Sequence, residues 1–217
     1  MMRLDSLREN SFRSAAHSFR RVQRRVLFAL WLGLLFLSTA RHARAQETVL
    51  ELDPARTRIG FTLGDVLHTV HGMFKLRQGT ISFNPATGQA GGLIVVDATS
   101  GDSGSHARDR KMHKDVLQSE LYPEITFVPQ QVQGQVLPAG DFKVQVSGIF
   151  TMHGESHPLT LIVQANATGE GLTANATFSV PYVNWGLKNP STLLLRVNSS
   201  VDIAIQAVGH IRLVAAR

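Results

Sequence analysis

From Thr48 onward the chain alternates apolar and polar residues in short runs separated by Gly, Asn, Asp and Pro, and this period of two constrains the fold more than any other feature. Successive side chains of an extended strand point to opposite faces, so such alternation marks strands buried on one side only. In RIGFTLG, residues 58–64, Ile59, Phe61 and Leu63 share a face. In VHGMFKLRQGTISF, residues 70–83, Val70, Gly72, Phe74 and Leu76 face one way, and Ile81 and Phe83 resume the apolar side after a turn expected at Gln78-Gly79. The same holds for Phe142, Val144 and Val146, for Leu159, Leu161 and Val163, for Leu172, Ala174, Ala176 and Phe178, and for Val201, Ile203 and Ile205. About eight such runs, joined by turn signals such as Asn84-Pro85-Ala86-Thr87-Gly88, predict an all-β protein, a meandering antiparallel barrel or sandwich with one short helix.

Charge separates the chain into two parts. Of its 22 basic and 16 acidic residues, nine arginines and two acids fall in residues 1–45, leaving a near-neutral body of 13 and 14. A basic isoelectric point therefore belongs to the leader, and the body lacks the clustered positive face that nucleic acid requires. The leader runs from Arg20, Arg21, Arg24 and Arg25 into the 12 apolar residues Val26 to Leu37 and ends at Ala43-Arg44-Ala45. This is the order of a signal peptide: basic region, short apolar region, small-x-small cleavage site. Twelve helical residues rise ~18 Å against a hydrocarbon core of ~30 Å, which disfavours a permanent membrane span. The expected product starts near Gln46, after cleavage at Ala45, with a single domain at 46–217 in the periplasm or outside the cell. Arg24-Arg25 leaves the general and twin-arginine export routes both open. The chain has no cysteine, so neither disulfides nor thiolate ligands contribute.

One segment breaks the strand rhythm. Placed on a helix, residues 105–118 bring His106, Asp109, Met112, His113, Val116 and Leu117 within an arc of about 140°, with Arg108, Lys111, Lys114, Asp115 and Gln118 opposite. Tyr122-Pro123 then ends the helix and starts the strand at Ile125. Two histidines and a carboxylate on one face are chemically sufficient for a metal shell. Yet the histidines stand seven apart, where a helical pair prefers four, and hydrogen bonding at a barrel mouth is the favoured reading. Asp109 suits the positive end of the helix dipole. His153 and His157 flank a hairpin tip at Gly154 and read as exposed turn residues, and Trp185 fits either a ligand head group or packing. Nucleophilic catalysis has no support, since there is neither Cys nor a Gly-x-Ser-x-Gly elbow.

Four stretches in order carry a resemblance. They are Val70-x-Gly72-x-Phe74; the Arg108-Asp109 pair followed by Tyr122-Pro123-x-Ile125-x-Phe127; the Gly148 to Leu161 hairpin with its Met152-His153-Gly154 turn; and VPYVNWGLKNPS at 180–191 with VDIAIQAVG at 201–209. In these the chain resembles the YceI-like family of bacterial exported proteins. That resemblance implies an extended, lipocalin-like antiparallel barrel of about eight strands holding a polyisoprenoid, quinone-like tail, with no cofactor beyond that lipid and no enzymatic activity. Combined with the alternation, the candidate ligand-binding residues are Phe61, Leu63, Val70, Phe74, Ile81, Phe83, Met112, Val116, Phe127, Phe142, Val144, Phe178, Trp185 and Ile203, with the small inward Ala174 and Ala176 as places where added bulk fills the slot. Two alternatives stay open: a metal- or histidine-dependent enzyme at the barrel mouth, and an interaction module with a filled core. Homodimerisation is also open.

Overall fold

The computed structural model describes residues 46–64, 69–192 and 196–215. The candidate signal peptide at 1–45 and His68 lie outside the described residues. Nine antiparallel strands succeed one another: β1 (Gln46–Leu52), β2 (Arg58–Gly64), β3 (Thr69–Phe83), β4 (Ala90–Asp102), β5 (Glu124–Gln133), β6 (Gly140–Met152), β7 (Glu155–Thr168), β8 (Gly171–Val180) and β9 (Val201–Ala215). Between β4 and β5 sit a helical turn and a half, α1 (His106–Lys111), and a π-helical turn at Met112–Val116.

Nine strands make eight staves of a closed barrel. Both β1 and β2 pair with β3 on one side and β9 on the other, β1 along the end containing Phe83 and Ala215, β2 along the end containing Thr69 and Val201. They form one stave broken at Asp53–Thr57. Val208 of β9 mends the break: its carbonyl accepts the Asp53 N–H at 2.8 Å, and its own N–H donates to the Thr57 hydroxyl at 3.3 Å. The remaining neighbours keep chain order from β3 to β9, and the β2–β9 pairing closes the ring, so no stave presents a free edge.

The inward faces are those the alternation names, with one correction on β3. Gln78-Gly79 is not a turn. The strand runs 15 residues without interruption, and its register with β4 slips at Met73/Lys75 and Leu76/Gln78. A bulge carries two residues against one and reverses the in–out phase of the residues beyond it. Hence even-numbered residues face inward up to Leu76, and Gly79, Ile81 and Phe83 after it.

The Val-x-Gly-x-Phe stretch has a steric cause. Gly72 lies directly opposite Phe61 in the β2–β3 ladder, and a Cβ placed on it meets the Phe61 ring at 2.2 Å and the Asp102 carbonyl at 2.5 Å. The missing side chain lets the Phe61 ring lie across the strand, 5.3 Å from the Phe74 ring. At Gly101 the same device seats the helical segment, since a Cβ there meets Phe74 Cε1 at 2.6 Å and Met112 Cε at 2.7 Å.

Candidate functional site

The barrel interior divides into halves. Around the ends where β3 finishes and β8 begins, small residues fill the centre: Ala165, Ala167 and Leu172 form a buried cluster against Leu50, Phe142, Ala174 and Ile211. The other half, under the helical segment, is hollow. A cavity of about 320 Å³ opens there, walled by Ile59, Phe61, Leu63, Val70, Phe74, Leu76, Ile94, Val96, Ile125, Phe127, Phe150, Met152, Leu159, Leu161, Phe178, Val180, Val201, Ile203 and Ile205. Among the described residues its polar lining is limited to Thr57, Ser103, Arg108, Lys111, Thr126 and Tyr182.

Two segments roof the cavity. One is the helical segment, which contributes Arg108, Lys111, Met112, Val116 and Leu117; the other is the β8–β9 connection, which contributes Tyr182, Leu187, Pro190 and Val197. They are tied together where Lys111 Nζ donates to the Pro190 carbonyl at 3.0 Å. Within the connection, the Tyr182 hydroxyl donates to the Asn198 carbonyl at 2.7 Å and Asn189 Nδ2 to the Val197 carbonyl at 3.2 Å. Burial pushes the Tyr182 phenol above its ordinary value, so it stays a neutral donor.

At the helix start the Asp109 carboxylate turns back to accept the Ser103 N–H at 2.9 Å and hydroxyl at 2.6 Å. Burial raises its pKa, but these hydrogen bonds, with the nearby His113 and Arg108, outweigh that and hold the carboxyl below its ordinary range. The Arg108 guanidinium donates to the same Ser103, at its hydroxyl (3.2 Å) and carbonyl (3.1 Å). Asp109 thus does more than favour a dipole: it pins the loop entering α1.

Of the fourteen candidate residues, Phe61, Leu63, Val70, Phe74, Met112, Val116, Phe127, Phe178 and Ile203 line the cavity. The other five do not. Phe83 and Val144 are buried core, Phe142 packs against it, and Ile81 lies beyond the hollow half. Trp185 stacks face to face on His157, rings 4.0 Å apart and 4° from parallel, and leans on Phe150, so it is packing. His157 is accordingly a half-buried strand residue of β7 rather than an exposed turn residue, and its Nε2 is buried without a partner. His153 does sit in the β6–β7 turn, its ring tilted by 44° against the Tyr122 ring at 4.4 Å. Ala174 packs in the filled half and Ala176 is buried core, and neither alanine itself lines the cavity.

The helical wheel also needs correction. The histidines do not converge: His106 is exposed, while His113 bonds the Gly101 carbonyl at 2.9 Å and the Ser119 hydroxyl at 3.0 Å with its two ring nitrogens. Among the described residues no group of three or more His, Asp or Glu is placed to hold a metal. Arg108 and Lys111, assigned to the outer face, border the cavity. A wheel gives only the direction of Cα–Cβ, and these long stems bend back over the rim. Beyond Lys111 the wheel itself changes pitch, since the Leu117 N–H reaches the Met112 carbonyl five residues back at 2.8 Å. Phe150 and Met152 were legible: the inward phase of Phe142, Val144 and Val146 continues unbroken to both.

Residues 50–209 match the YceI-like domain. The chain belongs to that family. A UPF0312 protein of Pseudomonas savastanoi pv. phaseolicola is 30% identical over 193 residues, spanning 84% of this chain and 96% of the relative. Two solved structures share the fold. The crystal structure of Burkholderia cenocepacia BcnA superposes with a TM-score of 0.59 at 19% identity, covering 72% of this chain and 98% of that one. A polyisoprenoid binding domain from Saccharophagus degradans, implicated in plant cell wall breakdown, superposes with a TM-score of 0.56 at 12% identity, over 75% and 98%. For a YceI-like chain, the division into a filled and a hollow half is the feature that bears on what it binds.

Proposed function

We infer that this protein is a lipid carrier, which houses the apolar tail of an isoprenoid-class lipid, of the kind a polyprenyl quinone bears, in the hollow half of its barrel and does no chemistry on it. The observation that carries this is the wall of the cavity: large aliphatic and aromatic side chains almost throughout, with charge confined to the rim. Such a chamber binds by removing apolar surface from water, at roughly 0.8 kcal/mol per buried CH₂. The polyisoprenoid binding named for the S. degradans domain supports the choice of ligand class. The size bounds the tail. The volume of 320 Å³ falls at the lower end of the ~300–1,000 Å³ common for ligand sites. A cavity of that size holds part of a long prenyl tail under the roof. The rest must extend through the mouth or displace side chains.

Export fits the same reading: residues 1–45 direct the chain out of the cytoplasm, and the carrier works in the periplasm or outside the cell. The test is purification from the native compartment, followed by organic extraction, mass spectrometry and N-terminal sequencing. A stoichiometric isoprenoid lipid and an N-terminus near Gln46 are expected. A protein that yields no lipid and whose unfolding temperature is unmoved by added prenyl lipid is a packed module, not a carrier.

A further inference from the structure

The rim of the cavity holds charge that an apolar tail does not need. Arg108 and Lys111 stand three residues apart on α1, hence on one side of it, and both border the cavity beside Ser103. Neither lies in an ion pair. Among the described residues the ion pairs join Arg77 to Asp97 and Glu124, and Arg212 to Glu51, all on other parts of the barrel. Asp109, the carboxylate nearest in sequence, gives its Oδ1 to the Ser103 N–H and hydroxyl. Arg108 uses its Nε and one terminal nitrogen on Ser103, and Lys111 donates to the Pro190 carbonyl. A guanidinium has five N–H donors and an ammonium three, so each keeps donors to spare. Among the described residues that border the cavity, Arg108 and Lys111 are the charged ones, so its lining carries two cations and no carboxylate.

We propose that the barrel selects, among long-chain lipids, those ending in an anionic oxygen group, a carboxylate or a phosphate monoester, which Arg108 and Lys111 hold at the rim while the tail fills the interior. This rests on the carrier reading above and sharpens it. A neutral head, whether alcohol or quinone, offers acceptors but no charge, and gains less from two cations. Both side chains are exposed, so solvent and salt weaken each contact, and the preference is graded rather than absolute.

The experiment titrates the full chain with three ligands sharing a farnesyl tail: the alcohol, the carboxylic acid and the monophosphate. At low salt the two acids are expected to bind at least about tenfold more tightly than the alcohol, with the gap narrowing as salt rises. In R108Q/K111Q the ratio of acid to alcohol affinity falls to about one, and R108K/K111R retains most of the preference. Circular dichroism checks that each variant is folded. Should the double variant fail to fold, K111Q alone, which gives up only the Pro190 contact, still has to narrow the gap. Equal binding of all three by the wild type, or an acid preference undiminished in the glutamine variants, overturns the head-group assignment and leaves the carrier standing. Binding of none of the three overturns both.

Discussion

The two halves of the barrel are built from the same staves with the same alternation, yet one is filled and the other hollow. What differs is side-chain size. The filled half places Ala165, Ala167 and Ala174 inward, with Ala207 and Gly209 beside Ala174 and Leu172 on the adjoining stretch of β9, and Ala167 retains only 2% of its surface. Small residues let opposite walls approach until Leu50, Phe142, Leu172 and Ile211 meet between them. The hollow half places Phe61, Phe74, Phe127, Phe150 and Phe178 on its wall. Rings propped against one another, as Phe150 and Phe178 are edge to face at 6.3 Å, line a wall without reaching across it. A hydrophobic interior is therefore no guarantee of a packed core. Binding capacity resides where the walls are too far apart to be bridged by the side chains they carry.

Breaking the filled half should cost most. Leu172→Ala removes a buried side chain where its neighbours already touch, and a loss of about 2–5 kcal/mol is expected in urea unfolding. Leu159→Ala, which truncates a half-buried residue facing the cavity, is expected to cost visibly less. Equal losses would remove the distinction between the halves.

Adding ligand should sharpen the same contrast. At a free lipid concentration a hundred times Kd, mass action stabilises the protein by about 2.7 kcal/mol. Amide exchange is expected to slow first at the cavity end, around Val201, Ile203 and Phe178, while the amides near Leu172 and Ala174 change only with global stability.

Overpacking gives the next effect. Ala174→Leu pushes into the filled cluster and is expected to destabilise by about 1–3 kcal/mol. Val96→Phe points into empty volume, so stability should hold while lipid binding is lost. Thermal unfolding with and without lipid reads both, and a reversal of the two outcomes would invert the assignment of filled and hollow ends.

The smallest effect concerns the roof. Asp109→Asn gives up charged hydrogen bonds to Ser103, a loss of about 1 kcal/mol at neutral pH. Because the carboxyl sits below its ordinary range in the folded protein, its contribution is complete above about pH 4 and disappears as pH falls through the lower folded value. Wild type and variant should differ by a constant amount from neutral pH down to about pH 5 and converge in stronger acid. A difference that persists at the lowest pH would assign the effect to packing instead.

Much of this molecule was written locally. A period of two needs only the chain itself, because neighbouring side chains of an extended strand must point to opposite sides, and from it came the class of fold and the inward identity of Phe61, Phe74, Phe127, Phe178 and Ile203. Gly72 answers to the two strands beside it, through the Phe61 ring of β2 and the Asp102 carbonyl of β4. The candidates that lie off the cavity wall do so for non-local reasons. Ile81, Phe83, Phe142 and Val144 alternate as regularly as the wall residues do, and nothing in their own strands says that Phe142 packs against Ala165 and Ala167 or that Phe83 and Val144 are taken up in the buried core. The bulge in β3 arises from pairing with β4, so the apparent turn at Gln78-Gly79 was invisible as a change of phase inside one strand. Arg108 and Lys111 reach the cavity rim because Ser103 and Pro190 wait there to receive them, one from the loop before the helix and one from a connection 79 residues further along. Alternation decides which way a side chain points. Whether it meets another side chain or open space depends on the distance between walls, and that distance is a property of the closed barrel alone.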